Sequence, residues 1–342
     1  MKSPRRHPRL IAAVLISVLS IALAEVTIGS YPWALLNPLN WLLMVPVYGC
    51  QVLLIAALVL RRQPRPSLPA LWSAGAVVGL YEFYITRTLW GHHDWNTPDV
   101  MAGVDVYAVV VVAGLWHPFM AFIFPLMLAE QVLVREPHIA GLFARRGRAG
   151  GAPKAAMVTW AGIAAAGIVS GGFLGLLASP VVAAGSLGGT ALLVWCAFWL
   201  AGRGERAENW ADVLPNRAGM VALIAVLAVL YGLFAWRVYP GEPIAISHQA
   251  MAWGLYAAFV WLTVRNLREP VPTRVVRFAG PQAWRLRVAS YVGVAVLVAL
   301  IPYSLVAGVF VIWVLGAAVA LWMFGWSVRG AVRRNAPTTT VA

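Results

Sequence analysis

Repeated apolar runs constrain the fold of this chain more than any other feature of its sequence. Each run is about 20 residues long, the length that a helix needs to cross about 30 Å of hydrocarbon. Hydrophobic residues make up 61% of the 342 residues and charged residues only 11%. A soluble domain is about half apolar and a quarter charged. The sequence therefore predicts an all-α, polytopic integral membrane protein folded as a helical bundle.

We predict about ten transmembrane helices from these runs. The predicted spans are residues 10–28, 38–60, 68–90, 105–134, 155–178, 181–202, 217–238, 246–264, 287–303 and 306–328. Residues 288–328 form one apolar stretch that is too long for a single crossing, so we divide it near Pro302-Tyr303-Ser304. Residues 155–202 must also turn, either around Ser179-Pro180 or in the glycine-rich segment 185–189.

The basic residues are distributed asymmetrically between the predicted loops. Only Arg87 and Arg237, among 26 Lys and Arg, fall on the side opposite to the basic loops. Because Lys and Arg are enriched in cytoplasmic loops, both termini are expected in the cytoplasm. The net charge of +14 is thus a topology signal rather than an indication of nucleic-acid binding. It predicts a multi-pass protein of the cytoplasmic membrane, with anionic lipid head groups as partners on the cytoplasmic face.

The chain is expected to form one transmembrane domain over residues 1–342. Spans one to four (1–134) carry most of the polar groups, whereas residues 155–328 are more uniformly apolar, and 335–342 have the composition of a disordered tail. The N-terminus has an alternative interpretation. Its basic residues, apolar run and Ala22-Leu23-Ala24 resemble a signal peptide that would be removed after residue 24.

Glu82 and His117 are the most informative polar residues. Glu82 lies near the middle of the third predicted span and His117 at a similar depth in the fourth. Ionisable groups at membrane depth are costly and usually functional. One face of the third predicted span is formed by residues spaced three or four apart, namely Gly75, Gly79, Glu82 and Thr86. Because two of them are glycines, this face could approach another helix closely. Antiparallel packing of the two spans would bring Glu82 and His117 within hydrogen-bonding distance.

Two interpretations of this pair remain open. In the first, Glu82 is a general base toward water, or the two residues share a metal or transfer a proton. Burial disfavours the charged form of a carboxylate, which suits proton exchange near neutral pH. In the second, the pair is structural and fixes the register of two helices.

Other polar residues are weaker candidates for contact with a substrate or anion. They are Thr86, Arg87, Asn37 and His248. Arg87 would lie about 140° around the helix from Glu82, and its alternative role is to anchor the helix at the interface. Asn37 precedes Pro38, a pattern that also suits a helix cap. His248 begins the eighth predicted span.

The loop between spans three and four could bind a metal ion. His92, His93 and Asp94 supply imidazole and carboxylate ligands, although they do not follow a known ligand spacing. A solvated polar loop explains the same residues. No cofactor is indicated by any other motif in the chain.

The first 130 residues or so resemble an uncharacterised family of prokaryotic polytopic membrane proteins. The motifs that carry this resemblance are Ala24-Glu25, Gly29-Ser30, Leu36-Asn37-Pro38, Tyr48-Gly49, Gly79-Leu80-Tyr81-Glu82, Trp95, and His117 through Pro125 to Glu130. Such sequences usually have a Glu-Glu pair in span three, where this chain has a single acid. The resemblance implies a prokaryotic plasma-membrane protein and no established activity.

The layout is also similar to that of the CPBP intramembrane proteases, which carry Glu-Glu-x-x-x-Arg and Phe-x-x-x-His motifs. Glu82 and Arg87 match the first acid and the arginine. Phe83 replaces the second acid, and Ala113 replaces the Phe before His117. The resemblance implies an intramembrane hydrolase, or its inactive relative, with Glu82 and His117 as catalytic residues. The alternatives are a proton-coupled transporter and a structural membrane protein.

Overall fold

Six helices in the described part of the chain are long and apolar enough to cross a bilayer. They are Pro8–Val26, Pro38–Leu60, Val106–Leu133, Val181–Gly202, Arg217–Phe234 and Val314–Val332. The computed structural model describes residues 8–90, 100–143, 164, 166–172, 174, 179–237, 244–268, 271, 281–301 and 311–333. The helical membrane fold is thus confirmed, whereas the total of about ten spans and the orientation stay predictions.

The α-helices are numbered in chain order. They are α1 (Pro8–Ile21), α2 (Met44–Leu60), α3 (Leu68–Gly79), α4 (Val106–Ala108), α5 (Phe124–Leu133), α6 (Ile139–Phe143), α7 (Pro180–Gly202), α8 (Trp210–Val213), α9 (Arg217–Arg237), α10 (Ile246–Asn266), α11 (Pro281–Ala299) and α12 (Ala317–Arg333). Strands β1 (Val100–Met101) and β2 (Val104–Asp105) form an antiparallel hairpin. Positive φ angles at Ala102 (49°) and Gly103 (75°) make its tight turn.

Several membrane helices depart from α geometry. The segments Ala22–Val26, Val109–Ile123 and Val311–Gly316 are π-helical, and Pro38–Trp41 and Leu80–Phe83 are 3₁₀-helical. Helices with π geometry are rare, and their occurrence in proteins is concentrated at functional sites. Two of these departures contain the candidate residues Glu82 and His117.

The chain divides into two compact units. The first comprises Met1–Gly49, Phe124–Val213 and Thr273–Leu315, and the second comprises Cys50–Ile123, Leu214–Pro272 and Gly316–Ala342. Within the first unit, α1 packs against α5 and α7, and α11 packs against α7. Gly49 lies directly on the Ser17 side chain, which fixes the start of α2 against α1.

In the second unit, α3 packs between α10 and the π-helix Val109–Ile123, and α12 contacts all three. Apolar burial gives little drive to helix association in lipid, so close packing and polar contacts hold such helices together. Thr263 on α10 donates to Ser73 on α3 (3.0 Å), and Asn266 on α10 donates to Ser327 on α12 (3.0 Å).

The third predicted span is not one continuous α-helix. Helix α3 ends at Gly79 and continues as a 3₁₀ turn to Phe83. The amides of Tyr84 and Ile85 both donate to the Tyr81 carbonyl (2.9 Å each), which closes a turn. The regular α-helix assumed for the stripe from Gly75 therefore ends at Gly79, before Glu82 and Thr86.

Glu130 lies in α5, near the end of the fourth predicted span. Its side chain is fully buried. One carboxylate oxygen accepts from the backbone amides of His138 and Ile139 (3.0 Å each), and the other accepts from Ala140 (2.8 Å). These amides belong to the first turn of α6, whose unpaired N–H groups need acceptors. Glu130 thus caps a helix that follows it in the chain.

A helix begins at Ser179-Pro180, one of the two places predicted for a turn, and residues 175–178 lie outside the described residues. The Ser179 side chain accepts from the Val182 amide at 3.3 Å and caps α7. Helix α7 then runs without interruption through Gly185 to Gly202. The division predicted at 302–304 and the predicted disordered tail at 335–342 lie outside the described residues.

Candidate active site

The glycines of α3 let it approach the segment that carries His117. A Cβ added to Gly75 would lie 2.6 Å from the Pro118 Cα, and one added to Gly79 would lie 2.9 Å from the His117 Cβ. Neither distance leaves room for a methyl group. The close approach predicted from the Gly-xxx-Gly spacing is therefore confirmed, with His117 and Pro118 as the neighbours.

Pro118 accounts for part of the distorted geometry around His117. A proline has no N–H, so the Gly114 carbonyl four residues earlier loses its α-helical donor. The indole N–H of Trp72 on α3 donates to this Gly114 carbonyl at 2.7 Å instead. The bond joins the two segments at the place where the helix of span four departs from α geometry.

Glu82 and His117 lie in direct contact. The distance from Glu82 Oε1 to His117 Nε2 is 3.3 Å. The two residues are only 5% and 3% exposed. Thr86 donates to the other carboxylate oxygen of Glu82, and the Tyr81 hydroxyl lies 3.3 Å from His117 Nε2. The sequence-based pairing of the two residues is therefore present in the structure.

The other ring nitrogen fixes which tautomer His117 adopts. Nδ1 lies 3.1 Å from the carbonyl oxygen of Val112. A carbonyl can only accept, so Nδ1 carries a hydrogen and Nε2 is left to exchange a proton. One proton can therefore sit on Nε2, giving an ion pair, or on the Glu82 carboxylate, giving a neutral hydrogen-bonded pair. This arrangement can accept a proton and return it, as acid–base chemistry requires.

Glu25 has a similar local setting in the first unit. It lies in the π-helical turn after α1, and its carboxylate accepts from the hydroxyls of Tyr48 and Ser30. Gly29, at φ 73°, makes the turn that brings Ser30 back. Glu25 was not among the site residues predicted from the sequence. The sequence feature that could have identified Glu25 is an acidic residue within an apolar run, five residues before the hydroxyl of Ser30.

The candidate contact residues have different placements. Thr86 belongs to the site through its bond to Glu82. Asn37 caps the 3₁₀-helix Pro38–Trp41 by accepting from the Leu39 amide (3.0 Å), so the predicted cap is confirmed. His248 packs its ring on Gly103, where a Cβ would collide with it. The proposed metal ligands His92, His93 and Asp94 lie outside the described residues.

Arg87 adopts a left-handed backbone conformation, with φ at 58°. This conformation costs roughly 1–2 kcal/mol for a residue with a Cβ and almost nothing for glycine. We therefore expect Arg87→Gly to be more stable than Arg87→Ala by about 1 kcal/mol. Both changes remove the guanidinium group and its contacts. The difference between their melting temperatures in detergent therefore measures the contribution of the backbone conformation. Equal melting temperatures would contradict the strained conformation.

Tyrosines near Glu82 were not identified by sequence reasoning. Tyr81 contacts His117. Tyr231 and Tyr256 interact electrostatically with the Glu82 carboxylate and with Tyr84. Tyr231 and Tyr256 lie on α9 and α10, more than 140 residues away in sequence. Apolar helices usually carry interfacial tyrosines, so no sequence signal set these residues apart.

Comparisons with known proteins agree with this membrane fold. Residues 14–342 match the profile of a family described as an uncharacterized membrane protein family. A 121-residue segment is 33% identical to an uncharacterized protein of Archaeoglobus fulgidus, covering 35% of this chain and 37% of that protein. No solved structure matches the chain. Because the family profile spans nearly the whole sequence, the chain belongs to this uncharacterized membrane protein family.

Proposed function

We propose that the protein is a membrane-embedded hydrolase in which Glu82 is the general base toward a water molecule. The observation that carries this proposal is the buried 3.3 Å contact between Glu82 Oε1 and His117 Nε2. His117 is the acid–base partner, held in one tautomer by Val112. Tyr81 and Thr86 orient the two side chains. This role matches the one that the resemblance to the CPBP proteases implies for Glu82 and His117.

The reaction uses the proton that the pair can hold. Glu82 accepts a proton from water while the water oxygen forms a bond to the carbonyl carbon of an ester or amide. The bond from that carbon to the leaving oxygen or nitrogen then breaks. His117 Nε2 transfers a proton to the leaving group. The proton that Glu82 took from water then moves to His117 Nε2, which returns both side chains to their starting states. Atoms and charge balance without a metal ion.

Hydrolysis can be tested before the substrate is known, because the oxygen of water enters the product. Purified protein is incubated with a total membrane extract in water enriched in oxygen-18. We expect labelled products from the wild type and at least a hundredfold less from Glu82→Gln, which keeps the side-chain volume but removes the base. Glu208→Gln is the matched control, because Glu208 is an exposed acid paired with Arg135.

Equal labelling in the wild type and Glu82→Gln would overturn the hydrolase proposal. An inactive relative would give no labelled product in either protein. If Glu82→Gln and His117→Ala only lower the melting temperature, the pair is structural.

The second candidate function is proton-coupled transport. It is favoured by the end of α3 in the 3₁₀ turn that holds Glu82, beside the π-helix that holds His117. Discontinuous membrane helices often line transport sites. In proteoliposomes, a transporter would carry a proton flux that depends on the pH gradient and is lost in Glu82→Gln, with no oxygen-18 product.

We further propose a location in the cytoplasmic membrane of a prokaryote, with the basic loops toward the cytoplasm and anionic lipids. Two arginines at predicted cytoplasmic ends stack on tryptophans of the same helices. Arg203 lies 4.0 Å from the Trp199 ring and Arg265 lies 5.9 Å from the Trp261 ring. Such pairs suit the interface. A cysteine at position 203, in a background without Cys50 and Cys196, should react with an impermeant maleimide only in inside-out vesicles.

A further inference from the structure

Three tyrosines of the second unit are linked to one another near the Glu82 side of the pair. Tyr84 follows Glu82 by two residues, whereas Tyr231 lies on α9 and Tyr256 on α10. Tyr231 and Tyr256 share a hydrogen bond. Both interact electrostatically with the Glu82 carboxylate and with Tyr84. Phenol groups from three different segments therefore interact with one another, and two of them interact with the Glu82 carboxylate.

The Tyr84 hydroxyl differs from those of Tyr48, Tyr81 and Tyr291. It is inaccessible to solvent and has no hydrogen-bond partner among the described residues. The hydroxyls of Tyr48, Tyr81 and Tyr291, by contrast, lie within hydrogen-bonding distance of Glu25, His117 and Ser170. A buried unpaired hydroxyl is unfavourable, and each such group in a native protein needs an explanation. Tyr84 is two residues from Glu82 in the sequence, and its ring is linked through Trp253 to Tyr256, which interacts with the Glu82 carboxylate. Its unpaired hydroxyl is a donor that can bind a ligand oxygen.

Aromatic rings extend from Tyr84 to the surface of the second unit. The Tyr84 ring centroid lies 6.2 Å from that of Trp253, which lies 5.8 Å from that of Tyr256. On the other side, the Trp90 ring lies 6.3 Å from Tyr84. Trp253 is 61% exposed and belongs to α10. A molecule dissolved in the membrane can thus contact Trp253 without entering the protein core.

We propose that Tyr84, Trp253 and Tyr256 form the substrate-binding subsite beside Glu82, and that its ligand is a lipid-soluble ester or amide. The carbonyl oxygen of the ligand accepts a hydrogen bond from the Tyr84 hydroxyl. The apolar part of the ligand lies against the Trp253 and Tyr256 rings. This assignment rests on the proposed hydrolase function, because it places a carbonyl group near the Glu82–His117 pair.

Photolabelling tests the subsite without knowledge of the substrate. The probe is a long-chain fatty acid methyl ester that carries a diazirine, and the comparison probe is the alkane diazirine of equal length. Both are added to the full-length protein in phosphatidylcholine vesicles, and the labelled peptides are identified by mass spectrometry. We expect the ester to label the Trp253 peptide about tenfold less in Tyr84→Phe than in the wild type, the ratio for one lost hydrogen bond.

The controls separate binding from folding. Tyr291→Phe makes the same chemical change in the first unit and should leave labelling of the Trp253 peptide unchanged. The alkane should label Tyr84→Phe and the wild type equally, since it has no oxygen to bind. Trp253→Leu should weaken labelling by both probes at α10, and it changes an exposed side chain that folding does not need. Equal ester labelling in the wild type and Tyr84→Phe would overturn the subsite.

The subsite and the hydrolase function can fail independently. Glu82→Gln should keep ester labelling within about twofold of the wild type, since no hydrogen bond to Tyr84 is lost. If Glu82→Gln still forms oxygen-18 products while Tyr84→Phe loses labelling, the catalytic proposal is wrong and the subsite stands. If Glu82→Gln loses the products and Tyr84→Phe labels normally, the reverse holds.

Discussion

Replacing Gly75 with alanine should destabilise the protein by about 2–3 kcal/mol and separate Glu82 from His117. The added methyl carbon would lie 2.6 Å from the Pro118 Cα and 3.0 Å from its carbonyl oxygen. Both are backbone atoms, so no side-chain rotation can relieve the collision. Helix α3 must move away from the π-helix Val109–Ile123. Since α3 leads directly to Glu82, the 3.3 Å contact with His117 should be lost as well.

Thermal unfolding in detergent and the oxygen-18 assay together measure this effect. The matched control is Gly232→Ala on α9, because a Cβ there would meet no atom within 4 Å. Alanine in a helix is favoured over glycine by roughly 0.5–1 kcal/mol, so Gly232→Ala should be neutral or stabilising. A Gly75→Ala protein with the melting temperature and activity of the wild type would show that the two segments are not in contact.

Replacing Glu130 with alanine should cost about 3–5 kcal/mol, the largest effect we expect from a single substitution. The change leaves the backbone amides of His138, Ile139 and Ala140 without the acceptors that they have in the native protein. It also creates a cavity at a fully buried position. Glu130→Gln should be intermediate, because the amide keeps one acceptor oxygen but directs an NH₂ group toward another donor.

The comparison for Glu130 is Glu208→Ala. Glu208 is also acidic and lies in the first unit, but its side chain is 66% exposed and contacts the exposed Arg135. Such pairs contribute about 0–1 kcal/mol. Urea unfolding in mixed micelles should therefore separate the two variants by several kcal/mol. Equal stability of the two variants would mean that Glu130 does not cap α6 in the folded protein.

The broad fold could be predicted because lipid imposes a simple rule on sequence. Backbone groups in hydrocarbon must be satisfied within the segment, so long apolar runs become helices. The places where the helices depart from α geometry could not be predicted, because their stability depends on distant partners. The Gly114 carbonyl, left without its donor by Pro118, is bound by Trp72. The end of α3 at Gly79 depends on a turn around Tyr81 that no local signal marks.

The candidate site was predicted in part. The pairing of Glu82 with His117 could be predicted from two features. The glycine spacing predicts close approach of two helices, and the matched depth of the two residues predicts that they meet when these helices run antiparallel. Polar contacts that form only when segments distant in the sequence pack together were not predicted. Glu130 accepts hydrogen bonds from amides up to ten residues later in the chain, and no local pattern in the sequence indicates this contact. Tyr84 and Tyr256 were indistinguishable from interfacial aromatic residues until α10 was placed beside α3.

The central claim is that Glu82 and His117 share one buried proton. Solid-state nitrogen-15 NMR of histidine-labelled protein tests it most directly, since only six histidines contribute and His117→Asn assigns the signal. We predict a protonated Nδ1 on His117 at every pH and an Nε2 shift that moves strongly in Glu82→Gln. A bare Nδ1, or an Nε2 shift that Glu82→Gln leaves unchanged, would contradict the account.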